Sequence, residues 1–134
     1  MDYYVKMTGC TATINVGKTD ELLVCLLQYI EKYNPVFDCI SMQRLKSACI
    51  EKDFMWAMNE LNYSVELKSY GNKKVYAIGT FIGEELGDDQ KVFEILSPFM
   101  NDGYIEMMGE DGDIWRWVFE NGEMHIKRPS IIWD

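Results

Sequence analysis

Residues 2–16, DYYVKMTGCTATINV, alternate between apolar and polar side chains and are rich in β-branched and aromatic types. This period-two pattern predicts one strand, with Gly9 as a bulge or bend. The period then changes. In TDELLVCLLQYIEKY, Leu22, Leu23, Leu26, Leu27, Ile30 and Tyr33 recur at helical spacing. Thr19 stands in the cap position, Asp20 and Glu21 suit the positive end of the helix dipole, and Asn34-Pro35 stops the helix.

Ser41 is placed to cap a second helix over MQRLKSACIE with Leu45, Ala48 and Cys49 inward, and Asp53 to cap a third over FMWAMNELN with Phe54, Ala57, Met58 and Leu61 on one face. The pattern leaves open whether these are two helices or one bent helix. In YSVELKS, Tyr63, Val65 and Leu67 alternate with polar residues as in a half-buried strand. The turn YGN and the segment KKVYAIGTF complete a hairpin. IGEELGDD is expected to be a surface loop, and Asp88 to cap a helix over DQKVFEILSPFM that Pro98 ends or strains.

The remainder, from Gly103, is read through its turns. Asn121-Gly122 is a strong two-residue hairpin signal because both turn positions require positive φ. It pairs Glu120 with Glu123, Phe119 with Met124, Val118 with His125, Trp117 with Ile126 and Arg116 with Lys127. Trp115, Trp117, Phe119, Met124 and Ile126 then share one apolar face expected on the core. For the preceding turn, a two-residue loop at Asp111-Gly112 sets Glu106 opposite Trp117 and buries an unpaired carboxylate, a cost of several kcal/mol. A three-residue loop, Glu110-Asp111-Gly112 with Gly112 left-handed, pairs Met107 with Trp115 and Ile105 with Trp117, and sets Glu106 across from Arg116 outside. The second register is expected.

These elements predict a single α+β domain over residues 1–134. Its antiparallel sheet takes in the first strand, the 63–81 hairpin and the final strands, which form a three-stranded meander; three to four helices pack on one face. The size and the 48% apolar content suit one well-packed core.

Charge sharpens the functional reading. Residues 1–80 hold nine acids and nine Lys/Arg; residues 81–134 hold thirteen acids against Lys91, Arg116, Lys127 and Arg128, so the net −9 belongs to the last part of the chain. Nucleic-acid affinity comes from cations that release condensed counterions, so direct DNA or RNA binding is disfavoured. A basic protein surface is the complementary partner. The residues that such a partner would see are Glu106, Glu110, Asp111, Asp113, Arg116, Glu120 and Glu123.

No other constellation points to chemistry. The acids around Gly112 lack the alternation and the distant bidentate Glu of a calcium loop, so they read as a solvated turn. His125 stands on the outer face with no nucleophile motif beside it. The glycines of GTFIGEELG match neither dinucleotide nor phosphate-loop patterns. No enzyme, cofactor or metal is therefore expected. Cys10, Cys25, Cys39 and Cys49 form no CxxC or Cys/His ligand pair and read as core thiols. With no apolar run near the roughly 18 residues that span a bilayer and no basic-apolar leader, the expected location is cytoplasmic.

The run PFMNDGYIEMMGEDGDIWRWVFENG, with the closing SIIW and the opening MDYYV, resembles small, functionally uncharacterised proteins of bacteria and their phages that share YIE, GEDG, WRWVF and a terminal isoleucine-tryptophan strand. The resemblance covers the last 40 or so residues and implies no catalytic residues. In size and acidity the chain is also similar to phage inhibitors of host defence enzymes, CRISPR nucleases among them, which occupy basic nucleic-acid channels. The leading expectation is thus a non-enzymatic inhibitor that binds a basic partner. Two rivals stand beside it. One is a winged-helix DNA binder, in which DFMWAMNELN is the recognition helix, although its outer face offers Asp53, Asn59 and Glu60 with only Lys52 at its start. The other is a small-ligand or enzymatic domain with a pocket of Tyr3, Tyr4, Trp56 and Trp115.

Overall fold

In a computed structural model of the chain, the described residues are 3–35, 37, 40–84, 89–130 and 132–133, with the backbone alone of 82–84. They form an α+β domain with two antiparallel sheets. The first expected strand divides into β1 (Tyr4–Cys10) and β2 (Thr13–Asn15), followed by α1 (Thr19–Tyr33), α2 (Met42–Ile50), α3 (Phe54–Glu60), β3 (Val65–Tyr70), β4 (Lys73–Ile78), β5 (Ile82–Glu84), α4 (Asp89–Leu96), β6 (Gly103–Gly109), β7 (Ile114–Glu120) and β8 (Glu123–Lys127). The five-stranded sheet has the order β5-β1-β6-β7-β8, and the three-stranded sheet β2-β4-β3.

The single expected sheet is thus corrected to two. Thr11 is the crossing point. Its amide donates to the Tyr104 carbonyl (2.8 Å) and its hydroxyl accepts from the Tyr104 amide (2.9 Å), whereas the carbonyl of the next residue, Ala12, accepts from Ile78 in the other sheet (3.2 Å). Gly103 permits this approach, because a Cβ there would lie 2.8 Å from the Thr11 carbonyl oxygen. The bulge expected at Gly9 is present as a register shift between Met7 and Gly9.

Helix ends follow local chemistry with one exception. Ser41 accepts from the Arg44 amide (3.2 Å) and Asp53 from the Trp56 amide (3.0 Å), so each caps its own helix. Lys52, at φ 55, separates α2 from α3 as two helices. Asn34, left-handed at φ 44, closes α1. Thr19, however, is not a cap: a 3₁₀ turn at Val16–Lys18 precedes α1, and the Thr19 hydroxyl donates back to the Val16 carbonyl (3.0 Å). α4 stops at Leu96, where Ser97–Phe99 tightens into a 3₁₀ turn around Pro98, whose ring cannot continue the hydrogen-bonded ladder.

Two further expectations change. Ile82–Glu84, expected as loop, pairs with β1 as an edge strand. The 63–81 hairpin buries Tyr63 and Val65 but carries Leu67 out to 50% exposure, because its tip projects past the core. The Asp88 cap and Cys39 lie outside the described residues. Cys49 is buried and Cys10 and Cys25 are half-buried, all three as free thiols. Residues 132–133 are not in a strand, and Trp133 is 88% exposed, so the terminal strand implied by the resemblance is not formed there.

One aromatic cluster joins the layers. Phe93 of α4 stacks on Trp117 at 5.0 Å and meets Phe119 at 6.1 Å and Tyr63 at 5.1 Å, while Tyr63 stacks on Phe81 at 4.7 Å. α4 is thereby held against the inner face of the meander. The outer face leaves Lys6, Arg116, His125 and Lys127 exposed.

Candidate functional site at the end of the meander

Both turns form in the expected registers. Asn121 and Gly122 have φ of 53 and 77, and Gly112 has φ of 88. Met107 faces Trp115, Ile105 faces Trp117, Glu106 faces Arg116, and Val118 faces His125. Trp117 and Phe119 are buried on the inner side as expected, and Trp115 and Met124 pack against the core half-buried.

The turn at Glu110–Asp113 is pinned from three sides. The Tyr3 hydroxyl donates to Asp111 Oδ1 (2.6 Å), the Asp113 amide donates to the same oxygen (3.0 Å), and Arg128 Nη1 reaches both carboxylate oxygens of Asp113 (3.1 and 3.3 Å). Tyr3 crosses directly over Gly109, where any Cβ would collide with its ring. The Tyr3 hydrogen bond, aided by the Asp113 amide, holds the Asp111 carboxyl below its ordinary range.

The middle of the outer face is neutralised. Glu106 accepts from Thr8 Oγ1 (2.7 Å) and from Arg116 Nε (2.8 Å), and the Arg116 guanidinium lies 4.2 Å from the centre of the Tyr104 ring. These bonds, the Thr8 one foremost, keep the Glu106 carboxyl low, and Glu106 in turn raises Arg116.

The seven expected contact residues therefore do not make one patch. Glu110, Asp111 and Asp113 gather at one end of β7, and Glu120 and Glu123 at the other, about 20 Å away at strand rise. Glu106 and Arg116 satisfy each other between them. His125 is exposed, with Nε2 3.7 Å from Glu123. Among the described residues no group of three or more His, Cys, Asp or Glu converges as a metal site, and no helix is long and apolar enough to cross a membrane.

Ile126 corrects the expectation for the inner face, being 42% exposed. Phe93 covers Trp117 and Phe119, but the sheet runs on past it toward Trp115 and Ile126. The result is a cleft of about 550 Å³, within the range of ligand sites. Tyr3, Trp115, Trp117 and Ile126 give it apolar lining. Asp89, Lys91 and Glu94 line it from α4, and Asp113 and Arg128 from the sheet end. Asp89 is only 5% exposed and accepts from the Tyr63 hydroxyl (3.0 Å).

Of the pocket residues read from sequence, Tyr3 and Trp115 do meet here. Tyr4 is half-exposed elsewhere, and Trp56 sits on α3 with its indole N–H donated to Glu60 (3.0 Å). Sequence reading missed Thr8, Tyr3 as the pin of Asp111, and the α4 wall, since β1–β6 pairing and helix docking are long-range. Arg128 was within reach: carrying the Asn121-Gly122 register one pair past Arg116–Lys127 sets it opposite Trp115. Compared with known proteins, the chain matches no family model, no curated protein and no solved structure.

Proposed function

We propose that the protein is a non-enzymatic, cytoplasmic interaction protein that docks on a basic protein surface through the Glu110–Asp113 end of its meander, in the manner of a phage inhibitor occupying the nucleic-acid channel of a host enzyme. The supporting observation is the pinned acidic turn. Three side-chain contacts fix it before any partner arrives, so little loop-ordering entropy opposes binding. The surplus negative charge of the last 54 residues supplies steering toward a basic target. The far pole, Glu120 and Glu123, adds to that field without sharing the contact.

The test is binding to purified basic nucleic-acid enzymes and to neutral controls at low and high salt, with wild type and Glu110→Lys/Asp113→Lys. Binding should be selective for the basic set, weaken with salt as exposed charges are screened, and fall in the variant. Equal binding by the variant in high salt rejects the reading.

A second reading has one observation in its favour. Three helices enclosed by a β2-β4-β3 sheet, with Lys68, Lys73 and Lys74 on the projecting hairpin, follow the general plan of a winged helix. α3 speaks against it, exposing Met55 and Asn59 where a groove-reading helix carries cations. A mobility-shift assay at low salt decides: no shift at micromolar protein rejects DNA binding.

A further inference from the structure

We infer that the cleft between α4 and the meander seats a cationic side chain of the partner, an arginine in preference to a lysine; this rests on the reading that the partner surface is basic. Three features of the cleft select that chemistry. One wall of it is apolar, with Trp115 half-exposed beside Tyr3 and Ile126, and aromatic rings attract cations through their quadrupole. Its ionisable groups are three carboxyls, Glu94 and Asp113 at the surface and the nearly buried Asp89, against two cations, Lys91 and Arg128. Both cations are already engaged, Lys91 with Glu94 at 3.6 Å and Arg128 with Asp113 at 3.1 Å. An anionic ligand would have to break those pairs and then face the carboxyls.

The third feature is the Arg128–Asp113 pair itself. One guanidinium nitrogen reaches both Asp113 oxygens, and the pair is about half-exposed on each side. This carboxylate already accepts a guanidinium at the mouth of the cleft, and an incoming arginine can exchange for Arg128 or join it. A planar guanidinium both stacks on an indole and forks to a carboxylate, which an ammonium cannot do. Asp113 also belongs to the pinned turn, so the cleft and the acidic surface are continuous. The turn attracts the partner and the cleft selects one side chain from it.

The experiment titrates short arginine peptides, with lysine and citrulline counterparts, into uniformly ¹⁵N-labelled protein and follows the tryptophan indole N–H resonances, assigned with Trp115→Phe and Trp117→Phe. The arginine peptide should move the Trp115 indole saturably, the lysine peptide more weakly, and the citrulline peptide not at all. Trp115→Leu should weaken arginine-peptide binding by roughly 2- to 30-fold, the range of a cation–aromatic contact. Because that variant removes a residue packed on the core, Ile126→Gln at an already exposed position serves as the second probe, and a several-fold loss is expected there too. Movement confined to the Glu110 and Asp111 amides, with the Trp115 indole fixed, overturns the cleft while leaving the acidic-turn reading intact. Equal binding of the citrulline peptide overturns the requirement for a cation. Binding of none of the peptides at low salt overturns both readings.

Discussion

Tyr3 donates a 2.6 Å hydrogen bond to Asp111 across the face of Gly109, tying the start of the chain to a turn 108 residues later. The bond adds a long-range anchor, from the residue leading into β1, to a turn already shaped by Gly112 and by the Asp113 amide on Asp111. It also lowers the Asp111 carboxyl.

That lowering has a pH consequence whose sign is definite. A carboxyl whose native value lies below its unfolded one contributes stability that is present above the unfolded value and lost as pH falls through the native one. For Asp111 and Glu106, with ordinary values of 3.8 and 4.5, the loss occurs in acid below about pH 4.5. Tyr3→Phe should raise the Asp111 carboxyl toward its ordinary value and flatten the acid limb of stability against pH, while Glu106 keeps its Thr8 and Arg116 bonds. Side-chain carboxyl NMR titration of the two variants, Tyr3→Phe and Thr8→Val, separates the contributions.

Gly109→Ala forces the Tyr3 ring aside. The expected cost is about 1–3 kcal/mol, as for overpacking, and the Asp111 hydrogen bond should be lost with it. Tyr3→Ala/Gly109→Ala should be less destabilised than the sum of the single changes, since the collision has been removed. Additive urea midpoints would show that the crossing is not strained by a Cβ.

Phe93 is fully buried and touches Trp117, Phe119 and Tyr63. Phe93→Ala should cost about 3–5 kcal/mol in a denaturant titration, the range for removing a buried aromatic. That is a large part of the stability of a domain this size, and near-ultraviolet tryptophan signals should change as Trp117 loses its partner.

The Cys49 thiol is pushed up to about 11 by burial, and Cys10 is raised for the same reason. Since the thiolate is the nucleophile, Cys49 should react with a disulfide reagent near neutral pH only as fast as the protein opens. Labelling followed by peptide mass mapping checks this: Cys25 should be modified before Cys49 in the native protein, and all should react together in denaturant.

The meander was legible because its information is local. Asn121-Gly122 and Gly112 supply the positive φ values that their turns need, and once the turns are placed a period of two assigns every side chain from Gly103 to Lys127 to a face. The α2 and α3 caps are local too, each settled by an oxygen three residues from the amide it accepts. The functional reading was legible only as a charge division. That the acids split into two poles with Glu106 already paired depends on where strands end and which neighbours they meet.

Sequence by itself determined which segments are helical, though not that α2 and α3 are separate, together with the hairpins, the two turn registers and the acidic character of the final third, because these follow from torsional preference, capping and side-chain period within a few residues. Only the tertiary structure decided that the first strand crosses between two sheets at Thr11, that Tyr3 pins Asp111, and that Phe93 covers Trp117 but leaves Trp115 and Ile126 open as a cleft. Those outcomes are set by which distant segments pair and by how far an eight-residue helix, about 12 Å long, reaches across a longer sheet. Alternation says which way a side chain points. It carries no information about what arrives to cover it.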